Sequence, residues 1–139
     1  MPTLTRWYLK SALIFFILAL LAAFLQAIQN IVTVPAFINA LGPVYIHLFL
    51  VGWVTQLIFG VVFWMFPKYS LERPRGSEPL GWATFWLLNL GLILRAAGEP
   101  IMATQPSSFV GWILVVSALL QWLAGIFFFV NTWGRIKEK

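Results

Sequence analysis

An all-α integral membrane protein, a bundle of four transmembrane helices with both termini cytoplasmic, is the fold class the sequence predicts. Three observations lead there. Of 139 residues, 61% are hydrophobic and only 9% charged, with a mean hydropathy of +0.90, whereas soluble domains carry about a quarter charged residues. The nine Lys and Arg and four Asp and Glu gather in short stretches between long apolar runs. An aromatic content of 17% demands burial, which excludes a disordered or fibrous chain and leaves the bilayer to do the burying.

The spans follow in chain order. Between Lys10 and Lys68 there is no Lys, Arg, Asp or Glu, room for two helices of about 20 residues each across a ~30 Å hydrocarbon core. The turn between them is placed at Pro35-Ala-Phe-Ile-Asn-Ala-Leu-Gly-Pro43, where two prolines bracket Asn39 and Gly42. This predicts a first span over roughly 9–33 and a second over roughly 44–66. Residues 67–79 hold Lys68, Arg73, Arg75, Glu72 and Glu78 and form an aqueous loop. A third apolar run begins at Leu80 and meets Arg95, with Gly98 and Pro100 expected to end the helix, giving roughly 80–98. A fourth span, roughly 109–133, follows Pro106-Ser-Ser and ends at a basic tail. No internal repeat or low-complexity segment interrupts this single domain. The first apolar run exceeds the about 7–15 residues of a signal-peptide core and is read as a retained span.

Orientation comes from the basic residues. Arg6, Lys10, Lys68, Arg73, Arg75, Arg135, Lys137 and Lys139 all fall on one side and Arg95 alone near the other. Short loops rich in Lys and Arg stay cytoplasmic, so the expectation is an N-in, C-in protein of a bacterial inner membrane. Trp7, Tyr8, Trp64, Tyr69, Trp82 and Trp133 are placed at the cytoplasmic boundary and Tyr45 at the other. The net charge of +5 is thereby a matter of topology, and nucleic acid is not an expected partner.

Chemistry-bearing residues are few. With one His, no Asp and no Cys, neither a Ser/His/Asp triad, a zinc-hydrolase site nor a disulfide can be built, and no Gly-rich phosphate loop is present. No acid lies in the first two spans, which disfavours a proton-coupled relay. The single histidine, His47, falls one turn into the second helix, with Val51, Val54, Ile58 and Val61 expected along its face as an apolar wall. Two readings apply: an interfacial histidine bonded to a backbone carbonyl, or a ligand to a flat apolar cofactor. On another face Gly52, Gln56 and Gly60 recur every four residues, a stripe suited to close helix packing with one interhelical hydrogen bond. Arg95 is expected at about the depth of His47; it either pairs with Glu99 four residues on, or grips a cofactor carboxylate with its fork. Gln26, Asn30, Asn89 and Gln121 are read as interhelical hydrogen-bonding residues.

The string from His47 through Gly52-Trp53 and Gly60 to Phe66-Pro67, followed by Leu94-Arg-Ala-Ala-Gly-Glu-Pro100, resembles the NnrS-type haem-copper membrane proteins and, more distantly, subunit I of haem-copper oxidases. The likeness spans roughly 45–100. It implies that a haem b is bound with His47 as axial ligand to the iron, that Gly52 and Gly60 permit close packing near the macrocycle, and that Arg95 meets the propionates; Val51 and Val54 on the face of His47 are then expected to line the cofactor. The family's longer chains use several histidines for two haems and a copper; this chain has one, so copper is not expected. The haem is then five-coordinate, takes Met102 from the outer loop, or shares a ligand with a second copy. Subunit I resembles three four-helix arcs, so a homotrimer is the implied assembly. The function implied is electron transfer, through a redox partner, or binding of a diatomic gas such as nitric oxide, rather than enzymatic turnover. The competing expectations are a non-haem accessory subunit that docks a larger membrane complex through the Gly52/Gln56/Gly60 face, and a small oligomeric channel or transporter.

Overall fold

The computed structural model describes residues 1–72 and 74–136; Arg73, Lys137 and Lys139, which entered the orientation count, lie outside the described residues. The architecture is all-helical, with four helices long and apolar enough to cross a membrane: α1 (Thr3–Ile28), α3 (Gly42–Met65), α4 (Glu78–Thr104) and α5 (Ser108–Trp133). A one-turn helix, α2 (Ala36–Asn39), sits in the α1–α3 connection. The packing joins α1 to α3 and α4 to α5 as two long hairpins, and the hairpins meet where α3 lies on α4.

The helix limits depart from the sequence expectation for local reasons. α1 starts at Thr3, right after Pro2, and stops at Ile28 rather than near 33. The residues that follow include the β-branched run Ile31–Val34, and Val34 precedes Pro35, which disfavours helical backbone. α4 does not end at Gly98 and Pro100 but runs through both to Thr104. Pro100 removes one backbone donor, yet Gly98 packs so closely on Leu114 that a Cβ there would lie 2.8 Å from it, holding the turn against α5. Intramembrane helices tolerate such prolines when neighbours support the turn. Ser77 and Ser107 cap α4 and α5, each hydroxyl accepting an amide hydrogen bond, from Leu80 and Val110 respectively.

The inward face of α1 is Leu4, Thr5, Tyr8, Ala12, Phe15, Ala19 and Ala22, spaced three or four apart. Tyr8 is therefore not an interfacial aromatic: it is buried, packs edge-on to Phe85 and donates from its hydroxyl to the Gly81 carbonyl at 3.4 Å. Two apolar clusters form the core, one of Leu4, Tyr8, Phe63 and Phe85 toward the end that carries the termini, the other of Phe15, Ala19, Val44, Leu48 and Leu92 toward the opposite end.

Between these clusters lies the polar contact the small-residue stripe anticipates. Gln56 is fully buried and donates from Nε2 to Asn89 Oδ1 at 3.2 Å, and Asn89 Nδ2 donates to the Phe85 carbonyl at 2.7 Å. Gly52 and Gly60 flank it. A Cβ on Gly60 would come within 2.7 Å of Tyr8 Cβ, and one on Gly52 within 2.8 Å of both Phe15 and Leu92. The stripe is occupied within the chain by α1 and α4. Gln121 and Ser117 play a similar part on α5: Gln121 donates to the Ser117 hydroxyl, which donates to the Gly91 carbonyl of α4 at 2.7 Å. Gln26 packs at Gly42, while Asn30 makes only a local bond to the Ala27 carbonyl.

At the termini end, Arg135 is 1% exposed. Its Nε, Nη1 and Nη2 donate to the carbonyls of Pro67, Phe63 and Phe66 at 3.1, 3.2 and 2.8 Å. Pro67 cannot continue α3, so its last carbonyls lack amide partners, and the guanidinium supplies them together with a positive charge at the negative helix end. Burial, and secondarily the charge of Arg75, pulls this guanidinium below its ordinary pKa.

Two outcomes follow for stability in detergent, measured by unfolding titration. Gly60→Ala loses about 1–3 kcal/mol by overpacking against Tyr8, whereas Gly125→Ala, whose Cβ would meet nothing within 4 Å, is neutral or mildly stabilising. Arg135→Met costs about 2–4 kcal/mol through three carbonyls left without a charged donor, and Arg135→Lys, lacking the planar fork, does not restore it.

Candidate functional site

His47 is reached by building upward from the α3 start. Pro43 occupies the first turn, where its missing N–H costs no helical hydrogen bond. One turn later, about 8 Å along the axis from the helix start, His47 folds its ring back so that Nδ1 lies 2.9 Å from the Pro43 carbonyl oxygen. A carbonyl can only accept, so Nδ1 carries the hydrogen. In the neutral ring Nε2 then holds the lone pair.

Across from it stands α4. Glu99 Oε1 is 3.6 Å from His47 Nδ1 and accepts from Arg95 Nε at 3.1 Å. The side chains of His47, Glu99 and Arg95 are 26%, 13% and 24% exposed. Arg95 and Glu99 neutralise each other, which is what permits two formal charges at this depth in a span. The second carboxylate oxygen, Oε2, is buried without a hydrogen-bond partner among the described residues. Glu99 bridges His47 and Arg95, which brings the two expected site residues together. Sequence reasoning saw Glu99 only as the helical partner of Arg95; its place opposite His47 depends on the register of α3 against α4.

The other expected site residues are distributed differently. After His47, α3 passes through a π-helical stretch, Leu48–Thr55, before resuming as an α-helix. Its wider turns advance more slowly, so residues seven apart no longer share a face. Val51 packs on the inner cluster with Phe15 and Leu92, and Val54 is half-buried outside that cluster, so the wall expected above His47 is not continuous. The surface of Gly52 is taken by Phe15 and Leu92. Met102 lies not in a loop but on α4, half-buried and three residues beyond Glu99.

What the arrangement offers chemically is one imidazole nitrogen, backed by a carbonyl and a carboxylate on its other side. Among the described residues no three His, Cys, Asp or Glu side chains gather as a metal-binding group. One imidazole cannot by itself cage an ion. Comparisons with protein-family models, curated proteins and solved structures return no match to this chain.

The charge pairing is open to a double-mutant cycle in detergent. Arg95→Met and Glu99→Gln each destabilise by leaving one partner uncompensated, and the double variant loses less than the sum, with a coupling of about 1–2 kcal/mol. Strict additivity would show that the pair contributes nothing.

Proposed function

We propose that this chain is a haem b-binding membrane protein whose iron takes His47 Nε2 as axial ligand, and that it serves electron transfer or the binding of a diatomic gas such as nitric oxide. One observation carries the proposal: His47 Nδ1 faces the Pro43 carbonyl at 2.9 Å with Glu99 beyond it. Histidines that ligate metals nearly always donate their other ring N–H to a carbonyl or carboxylate, which sets the tautomer and raises ligand basicity. His47 is held that way by the chain itself.

Arg95 supports the same reading. Only its Nε is engaged among the described residues, so Nη1 and Nη2 remain for a propionate without loss of the Glu99 pair. When bound, the haem supplies a one-electron couple and an iron coordination position for a small ligand. The chain's own contribution is to orient the imidazole and place a cation for the carboxylates. Met102 or a residue from a second copy, as in a trimer, would supply any second protein ligand. An accessory-subunit role through the Gly52/Gln56/Gly60 face has lost its docking surface, because α1 and α4 already fill it.

Absorption spectra of the purified protein, oxidised and then reduced, test the proposal. The wild type expressed with added haem shows a Soret band whose α and β bands sharpen on reduction, and His47→Ala loses it while keeping its helical circular dichroism. Arg95→Met retains less haem without changing the position of the bands. A carbon monoxide shift in the reduced spectrum marks an open coordination position; a colourless wild type overturns the reading.

A further inference from the structure

A second feature lies at the other end of the molecule, on the outer side of α1. Thr3, Arg6, Trp7, Lys10, Ser11 and Ile14 line a groove of about 510 Å³. Arg6 and Lys10 are four apart on the helix and exposed, and like charges at that spacing repel. Both lie in the first turns of α1, which contain no acidic residue, so the positive end of the helix dipole adds to the repulsion. The ion pairs of Glu99 lie at the opposite end, and the one side-chain hydrogen bond of Arg6 among the described residues is to the Thr3 hydroxyl at 3.3 Å. Two cations and two hydroxyls thus line one groove with no acidic residue among its lining side chains.

The groove continues into an apolar track. Trp7 stands beside the two cations, its ring edge-on to Trp82 and Phe85. Deeper along α1, Ile14, Ile17, Leu18 and Leu21 are all exposed. A basic, hydroxyl-bearing mouth at the end of a membrane-length helix, opening onto aliphatic side chains, matches an amphiphile whose phosphate sits at the mouth and whose acyl chain lies along the helix. We propose that this groove is a binding site for an anionic phospholipid, with Arg6 and Lys10 holding the headgroup phosphate, Ser11 donating to it, and Ile14 and the residues below it receiving one acyl chain.

Native mass spectrometry of the full-length chain, with phosphatidylglycerol or phosphatidylcholine titrated into the micelles, reads retained lipid directly. The expected result is phosphatidylglycerol held about 20-fold more tightly than phosphatidylcholine, the difference two interfacial cations make. The pair Arg6→Gln/Lys10→Gln erases that preference and Arg6→Lys/Lys10→Arg keeps it. Both side chains are exposed, so the pairs retain the wild-type circular dichroism; should the glutamine pair fail to fold, Ser11→Phe fills the groove with both charges in place and lowers retention as well. An unchanged preference in the glutamine pair, or unchanged retention in Ser11→Phe, overturns the site. Displacement of phosphatidylglycerol by inorganic phosphate at equal concentration assigns the anion to free phosphate and overturns the lipid.

Discussion

The fold turns on one contact, the Gln56–Asn89 hydrogen bond between α3 and α4, set between two glycines that let α1 approach α3 at backbone distance. Between lipid-solvated helices there is little hydrophobic gain from association, because the acyl chains are as apolar as the side chains they replace. Close van der Waals packing and a directed polar bond must decide which faces meet. Gly60 on Tyr8, Gly52 on Phe15 and Leu92, and Gln56 on Asn89 supply both, and together they set the rotation and height of α3 against its neighbours.

That register has consequences at both ends. Toward the opposite end from the termini it brings His47 across from Glu99, which a shift of one turn along α4 would prevent. Toward the termini end it presents the last carbonyls of α3 to Arg135, a residue 68 positions beyond Pro67, closing the two hairpins on each other. The π-helical stretch falls between these ends, around Gly52, where α3 is pressed against Phe15 and Leu92. A π turn adds a residue to the cycle, and here it separates the phase of the His47 turn from that of the packing stripe below.

The four long apolar helices, the small–polar–small stripe and the pairing of Arg95 with Glu99 were legible in the sequence, because each rests on a local period or on a count along one helix. The rest depended on partners. Tyr8 looked interfacial by position, yet its phase with Leu4, Ala12 and Phe15 turns it inward, and only the contact with Gly81 shows what satisfies its hydroxyl. Pro100 looked like a stop, but Gly98 seated on Leu114 holds the turn around it. Arg135 read as one more positive charge in a basic tail. Its role as a cap needed knowledge of where α3 ends in space, which no period in the sequence encodes.

The triad also shows why an ion pair and a ligand need not compete. With a neutral imidazole, His47, Glu99 and Arg95 carry no net charge, so they are already tolerable in a low-dielectric setting without any bound group. What the triad leaves over is specific: one ring nitrogen, two guanidinium nitrogens and one carboxylate oxygen without a partner among the described residues. A self-sufficient ion pair has no use for the imidazole, since the Arg95–Glu99 bond at 3.1 Å is complete without it. The imidazole instead spends its hydrogen on Pro43, a bond that contributes little at a half-exposed position and chiefly fixes which nitrogen is basic. The structure thus shows the carbonyl-bonded histidine and the Arg95–Glu99 pair, and the proposal of a ligand role rests on the ring nitrogen they leave over.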